Sequence, residues 1–152
     1  MNLRPELLPP VLDESLVARL AQLASAIDGA PPGAWEDNLD EFNRLAGTNI
    51  PFADFQGIYG AEEHVDYVRR VLFSRNLRPD PAITLAELTE IVERILAGTD
   101  RDFYRELFVV NCRHPAKSDL IYWPDTVDQF PPDREPTPAE IAHLALHSNS
   151  SI

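Results

Sequence analysis

Apolar residues recur along this chain at three- and four-residue steps, interrupted by proline and glycine, and that period predicts helices from end to end. From Asp13 onward Leu16, Leu20, Leu23 and Ile27 form one stripe, with Val17 and Ala24 beside it, until Gly29 and Pro31-Pro32 end it. A shorter helix is predicted from about Asp37 to Ala46, with Leu39, Phe42 and Leu45 at helical spacing and Trp35 just before it. The aromatic stretch GTNIPFADFQGIYG follows, punctuated by Gly47, Gly57 and Gly60, and reads as irregular chain packed through Phe52, Phe55 and Tyr59. A third helix is expected from Ala61 to about Ser74, with Val65, Val68 and Leu72 turned inward.

The segment NLRPDPAI, residues 76 to 83, holds two prolines two apart and disfavours a continuous helix, so a boundary is expected near residue 80. It separates a helical N-terminal extension, 1–80, from a helical domain, 81–152. Thr84 with Glu87 three positions later has the form of a capping box, and Leu85, Leu88, Ile91, Val92 and Ile95 supply a buried face behind it until Gly98. Thr99 with Asp102 is the expected cap of the next helix, on which Tyr104, Leu107, Phe108 and Asn111 share one side while Arg101, Arg105 and Val109 fall outside it. Thr137-Pro138-Ala139-Glu140 joins an N-cap, a proline at the first helical position and a glutamate at the third, opening a helix that buries Ile141, Leu144 and Ala145. Alternation of apolar with polar residues never persists long enough for a strand, and the fold class expected is all-α.

Composition narrows the function. Twenty-five Asp and Glu against 13 Lys and Arg leave a formal charge of -12, a field that repels nucleic acid and anionic membranes and attracts basic partners, or serves solubility alone. The acidic excess is spread evenly over residues 1–80 and 81–152, so no tail accounts for it. The one cysteine, Cys112, cannot form an internal disulfide, and MNLRPELLPPVLDE lacks the apolar run of a secretory signal, which points to a reducing cytoplasm. No stretch approaches the roughly 18 apolar residues of a membrane span.

Candidate catalytic and metal chemistry is sparse. Cys112 and His114 could be imagined as nucleophile and base of a small hydrolase, but no orienting group or oxyanion loop accompanies them, and a packing cysteine is the simpler reading. His143 and His147 have the four-residue spacing of metal ligands without the glutamate of a metalloprotease motif, and solvated surface histidines are favoured. Glu36, Asp37, Asp40 and Glu41 read as a solvated helix face rather than a carboxylate site. Gly57 and Gly60 lack the lysine and hydroxyl residue of a phosphate loop. No catalytic residue, resident metal or cofactor is expected, and the chain is not expected to be an enzyme.

Residues 114 to 124 read HPAKSDLIYWP, which places Tyr122 and Trp123 next to a lone aspartate between two prolines. Only about one turn of helix fits, and one turn cannot bury every face, so Leu120 and Ile121 are expected inside and at least one aromatic ring outside. An alternative is that both rings close the core. The order of elements over residues 83 to about 147, with His114, Pro115, Ser118, Asp119, Leu120, Ile121, Tyr122, Trp123 and Pro124 in this arrangement and Thr137-Pro138 opening the last helix, resembles the colicin and pyocin immunity proteins. The resemblance implies a four-helix immunity-type bundle with a short third helix, here preceded by an additional helical N-terminal region. It implies that Ser118, Asp119, Tyr122, Trp123 and Pro124 anchor the nuclease domain of a cognate toxin. Arg101, Asp102, Arg105, Glu106 and Val109 on the preceding helix would select among toxins, and substrate would be shut out sterically and by acidic charge. The chain departs from the family in Trp123, where tyrosine is usual, in the bases Arg101 and Arg105, where acids are frequent, and in residues 1–80, which have no counterpart. An acidic adaptor or nucleic-acid mimic that binds basic partners through dispersed carboxylates is the alternative of a different class.

Overall fold

The structure, a computed structural model, describes residues 2–31, 33–57 and 63–147, and the described residues are helix, turn and irregular chain without a strand. The fold is all-α. Pro32, Tyr59, Gly60 and Ala61, which the sequence reading had used, lie outside the described residues. The chain divides into two compact units, Pro10–Asn76 on one side and Met1–Pro9 together with Leu77–Ile152 on the other.

The first unit contains α1 (Glu14–Ile27), α2 (Glu36–Ala46) and α3 (His64–Ser74), and α1 packs against both of the others. Asp13 caps α1 by accepting the backbone N–H groups of Ser15 and Leu16, which satisfies amides that the first turn leaves without a carbonyl. Val17, Leu20, Leu23, Ala24 and Ile27 are buried along α1, as the apolar stripe predicts, while Leu16 at its start is only half-buried. Against them lie Phe42 and Phe55, edge to face at 4.9 Å, and Phe55 in turn meets Tyr67 at 5.6 Å. The irregular chain after α2 is held by Asn43, whose Oδ1 accepts from Ile50 N–H and the Thr48 hydroxyl while its Nδ2 donates to the Ile50 carbonyl. Phe52 stacks on Trp35 at 4.2 Å beside a short 3-10 turn, Phe52–Phe55. Val65 was expected inside but is exposed; Tyr67 takes its place beside Val68 and Leu72. A leucine-like stripe drawn from aliphatic residues alone overlooked the ring, which fills more volume at the same face.

The second unit contains α4 (Leu85–Ala97), α5 (Arg101–Asn111), α6 (Asp119–Tyr122) and α7 (Pro138–His147), with α4 packed against α5 and α7. The capping box at Thr84 and Glu87 is present in both directions, and the same reciprocal bonds join Thr137 and Glu140 at the start of α7. Leu88, Ile91, Val92 and Ile95 are buried, each worth roughly 1.5–3 kcal/mol against exposure. Leu85, placed inside by the sequence pattern, is exposed, and Glu87 is buried instead. Arg4 explains the exchange: its guanidinium reaches Glu87 and Asp80 from a 3-10 turn at Pro5–Leu7, with Leu3 and Leu7 buried on either side. Residues 2–9 thus belong with the second unit, whereas the sequence reading had joined them to the extension 1–80.

A second correction concerns the start of α5. Thr99 and Asp102 do not cap it; the N-cap residue is Asp100, in the left-handed region at φ 45°, and its side chain makes no capping bond. The turn between α4 and α5 is so short that Gly98 and Asp100 both take positive φ to reverse the chain, leaving Thr99 no room to act as the residue before the helix.

Candidate functional site

The turn after α5 is built from the inside outward. Arg113 N–H donates to the Ala145 carbonyl at 2.7 Å, which ties the end of α5 to α7. His114 is buried, and its Nδ1 accepts the Ala116 N–H at 3.0 Å, so the imidazole fixes the bend that follows. Lys117 completes it at φ 52°, with Nζ donating to the Cys112 carbonyl at 2.7 Å. A left-handed residue at that point turns the chain sharply into the single turn of α6.

Leu120 is fully buried and Ile121 nearly so, and they pin α6 down by its inner face. The backbone is satisfied within the turn: Ser118 O accepts from Ile121 and Tyr122, Asp119 O from Trp123 at 2.9 Å, and Trp123 O from Thr126 N–H and hydroxyl. With the main chain closed on itself, the outer side chains are left over. Tyr122 is 41% exposed and Trp123 62%, and Asp119 is exposed. Among the described residues the side chains of Asp119, Tyr122 and Trp123 make no hydrogen bond or ion pair. Ser118 and Pro124 are half-buried at the two ends, Pro124 opening a 3-10 turn, Pro124–Thr126.

Residues 124–136 then enclose a hollow of about 610 Å³ whose lining includes Asp125, Asp128, Asp133 and Glu135. Arg134 lines it too, but its two terminal nitrogens are spent on the two oxygens of Glu140 at 2.7 and 2.8 Å. The positive charge in that loop is neutralised locally, and the carboxylates on the hollow's lining keep their field.

On α5 the residues expected to confer selectivity stand apart from the buried stripe of Phe103, Tyr104, Leu107, Phe108 and Asn111. Arg101 is exposed, though its Nε donates to the Ile95 carbonyl at 3.3 Å, so it also closes the end of α4. Asp102 and Arg105 are half-exposed and face one another at 3.9 Å, and Glu106 and Val109 are half-buried. The exposed ring edges and the α5 side chains therefore follow one another along a single stretch of chain, residues 101–124.

No family model matches the chain, and no curated protein or solved structure is significantly similar to it.

The remaining candidates resolve from their geometry. Cys112 Sγ lies 3.6 Å from the His114 carbonyl oxygen, the imidazole's Nδ1 is taken by a backbone amide, and burial pushes the thiol up. An activated nucleophile needs a depressed thiol facing a free base, and these two residues offer neither. Glu36, Asp37 and Asp40 are exposed, and Glu41 pairs with Arg19 at 3.0 Å, which is the arrangement of a solvated face. Among the described residues no three His, Cys, Asp or Glu side chains gather where a metal ion could be held, and no helix is long and apolar enough to cross a membrane. Sequence reasoning missed Arg4, Asn111 and the buried role of His114. Asn111 joins α5 to the chain just before α4, its Oδ1 accepting Asp80 N–H at 2.8 Å, and nothing in the local pattern marks it as more than one polar residue on an apolar stripe.

Proposed function

We propose that this chain is an immunity-type inhibitor that binds the nuclease domain of a cognate toxin and keeps substrate away from it. One observation carries the reading: a one-turn helix held by Leu120 and Ile121 leaves Tyr122, Trp123 and Asp119 exposed, with no side-chain hydrogen bond or ion pair among the described residues. Large exposed aromatic rings on a rigid base are what a protein interface uses, because they offer contact area at small entropic cost and dominate binding energies when central. The residue string His114-Pro115 to Pro124 supports the family reading. Two longer helices, a one-turn helix and a closing helix, α4 to α7, agree with the bundle that the resemblance implies.

The division of labour follows from chemistry. Asp119, Tyr122 and Trp123, flanked by Ser118 and Pro124, serve as the common anchor. Arg101, Asp102, Arg105, Glu106 and Val109 discriminate, since charges that match one partner leave unpaired charges against another. The net charge of -12 speeds encounter with a basic nuclease surface and opposes entry of nucleic acid.

The test is co-purification of the full chain with the nuclease domain encoded beside its gene. Wild type retains the domain and suppresses its activity, while Tyr122→Ala and Asp119→Ala lose most of both. Equal retention by all three proteins rejects the anchor. A loss seen only after several dispersed carboxylates are neutralised would favour the acidic adaptor instead.

A further inference from the structure

The first unit follows the same plan of helices as the second. α1, α2, the Phe52–Phe55 turn and α3 stand in the order of α4, α5, α6 and α7: two longer helices, a short turn and a closing helix. Their lengths agree closely, 14, 11, 4 and 11 residues against 13, 11, 4 and 10. In each unit the first helix packs against the second and the last. The short turns differ in footing, since Phe52–Phe55 lies on α1 and α6 lies on α7. The place that α6 holds in the second unit is thus filled in the first by a turn that carries rings and an acid of its own.

Phe55 is fully buried and holds that turn, as Leu120 holds α6. Phe52 stacks on Trp35 at 4.2 Å and 15°, and both rings are half-buried, so part of the stack is left at the surface. The chain on either side of it is acidic. Glu36 and Asp37, directly after Trp35, and Asp54, two residues after Phe52, are exposed, and their side chains make no hydrogen bond or ion pair among the described residues. Residues 31–63 hold seven acidic side chains and one basic one, Arg44, so half of the net charge of -12 falls in this segment.

We propose that the first unit is a second contact surface for the nuclease domain, in which the Trp35–Phe52 stack and the acids beside it cover the basic surface that the nuclease turns toward nucleic acid. This rests on the inhibitor reading above and adds how substrate is shut out. A protein that cleaves nucleic acid presents Lys and Arg to phosphates, and those side chains are the complement of Glu36, Asp37 and Asp54. Guanidinium and ammonium groups also rest favourably on a tryptophan ring, more so when the contact excludes water. The two surfaces then divide the work. Tyr122 and Trp123 fix the inhibitor, while the first unit competes with phosphates for the cations that would bind them. Once the second unit is bound, contact through the first is intramolecular, so modest interactions add to the affinity.

Fluorine magnetic resonance of the full chain labelled with 5-fluorotryptophan tests the second surface. The chain has two tryptophans, Trp35 and Trp123, whose signals are assigned with Trp35→Phe and Trp123→Phe and followed as the unlabelled nuclease domain encoded beside the gene is added. Both signals should shift, and both should lose part of their response to exchange of water for D2O, which reports solvent at the ring. A change at Trp123 alone overturns the second surface and leaves the inhibitor reading standing. A change at Trp35 alone supports the second surface and removes the anchor at Trp123, and no change at either ring ends both. Asp37→Asn combined with Asp54→Asn, altered only at exposed positions, should weaken the complex about tenfold or more at low salt and flatten its salt dependence. Affinity and salt dependence equal to those of wild type would likewise overturn the proposal.

Discussion

Arg4 grips both oxygens of the Glu87 carboxylate across 83 positions of sequence, Nε to Oε2 at 2.5 Å and Nη2 to Oε1 at 3.1 Å. The same carboxylate accepts the Thr84 N–H that starts α4, so one buried acid closes both the N-terminal turn and the helix cap. Hydrogen bonding from Arg4 holds Glu87 below the usual carboxylate range despite its burial. The second unit is therefore assembled from two pieces of chain, and its N-terminal piece is short enough to remove.

Removal of residues 2–9, or Leu7→Ala alone, should destabilise the second unit. Leu7 is 2% exposed, and truncating a leucine so enclosed costs about 2–5 kcal/mol. Arg4→Met should also lower the melting temperature, because it keeps the stem and leaves the Glu87 charge buried without its base. Thermal unfolding of the full chain checks both, and an unchanged melting temperature for Leu7→Ala would show that the N-terminal turn does not belong to the folded unit.

Acid should weaken the start of α7 only below about pH 4.5. Arg134, with help from the Thr137 amide, lowers Glu140 to about 2 from an ordinary 4.5. The unfolded chain then takes up this proton at a higher pH than the folded one, so the contribution is fully present above about 4.5 and is lost as pH falls toward 2. Glu140→Gln should be less stable than wild type at pH 7 and approach it near pH 2. Urea midpoints measured across that range give the comparison, and a difference independent of pH would exclude the pairing.

What the sequence made legible was local. The caps at Thr84 and Thr137 are written in adjacent residues, and the buried faces of α1, α4 and α5 follow from a 3.6-residue period. That at least one of Tyr122 and Trp123 faces out was legible too, because Pro115 and Pro124 leave space for one turn and Leu120 with Ile121 claim its inner side; that both do was not. Arg4 with Glu87 was not, since nothing near either residue encodes a partner that distant. Leu85 and Val65 were misplaced for a related reason: a stripe says which residues can face inward, and the packing of neighbouring elements decides where the stripe ends.

The reversal between α4 and α5 should be intolerant of a side chain at Gly98. Its φ of 80° lies in the left-handed region, and an added Cβ would stand 3.2 Å from Arg101 Nη2. Backbone strain alone predicts a loss of about 1 kcal/mol for Gly98→Ala. Displacement of Arg101 from the Ile95 carbonyl would add to it and would move one of the residues assigned to partner selection. Chemical denaturation measures the first effect, and partner preference in competition binding reads the second.

Tyr122 and Trp123 should separate binding from folding. Their side chains are exposed and make no hydrogen bond among the described residues, so Tyr122→Ala and Trp123→Ala are each expected to shift stability by about 0.5 kcal/mol or less, the ordinary range for surface positions. Leu120→Ala, in the same turn but fully buried, should cost about 2–5 kcal/mol. In binding the order reverses for the stable variants: each aromatic truncation should weaken the complex with the nuclease domain by about 2 kcal/mol or more. A turn that served only the core would show the opposite pattern, with the aromatic variants unfolding early in denaturant and binding in proportion to the fraction folded. Denaturation curves and titrations on the same three proteins decide between the two, because only an outward-facing anchor can lose affinity while keeping its melting curve.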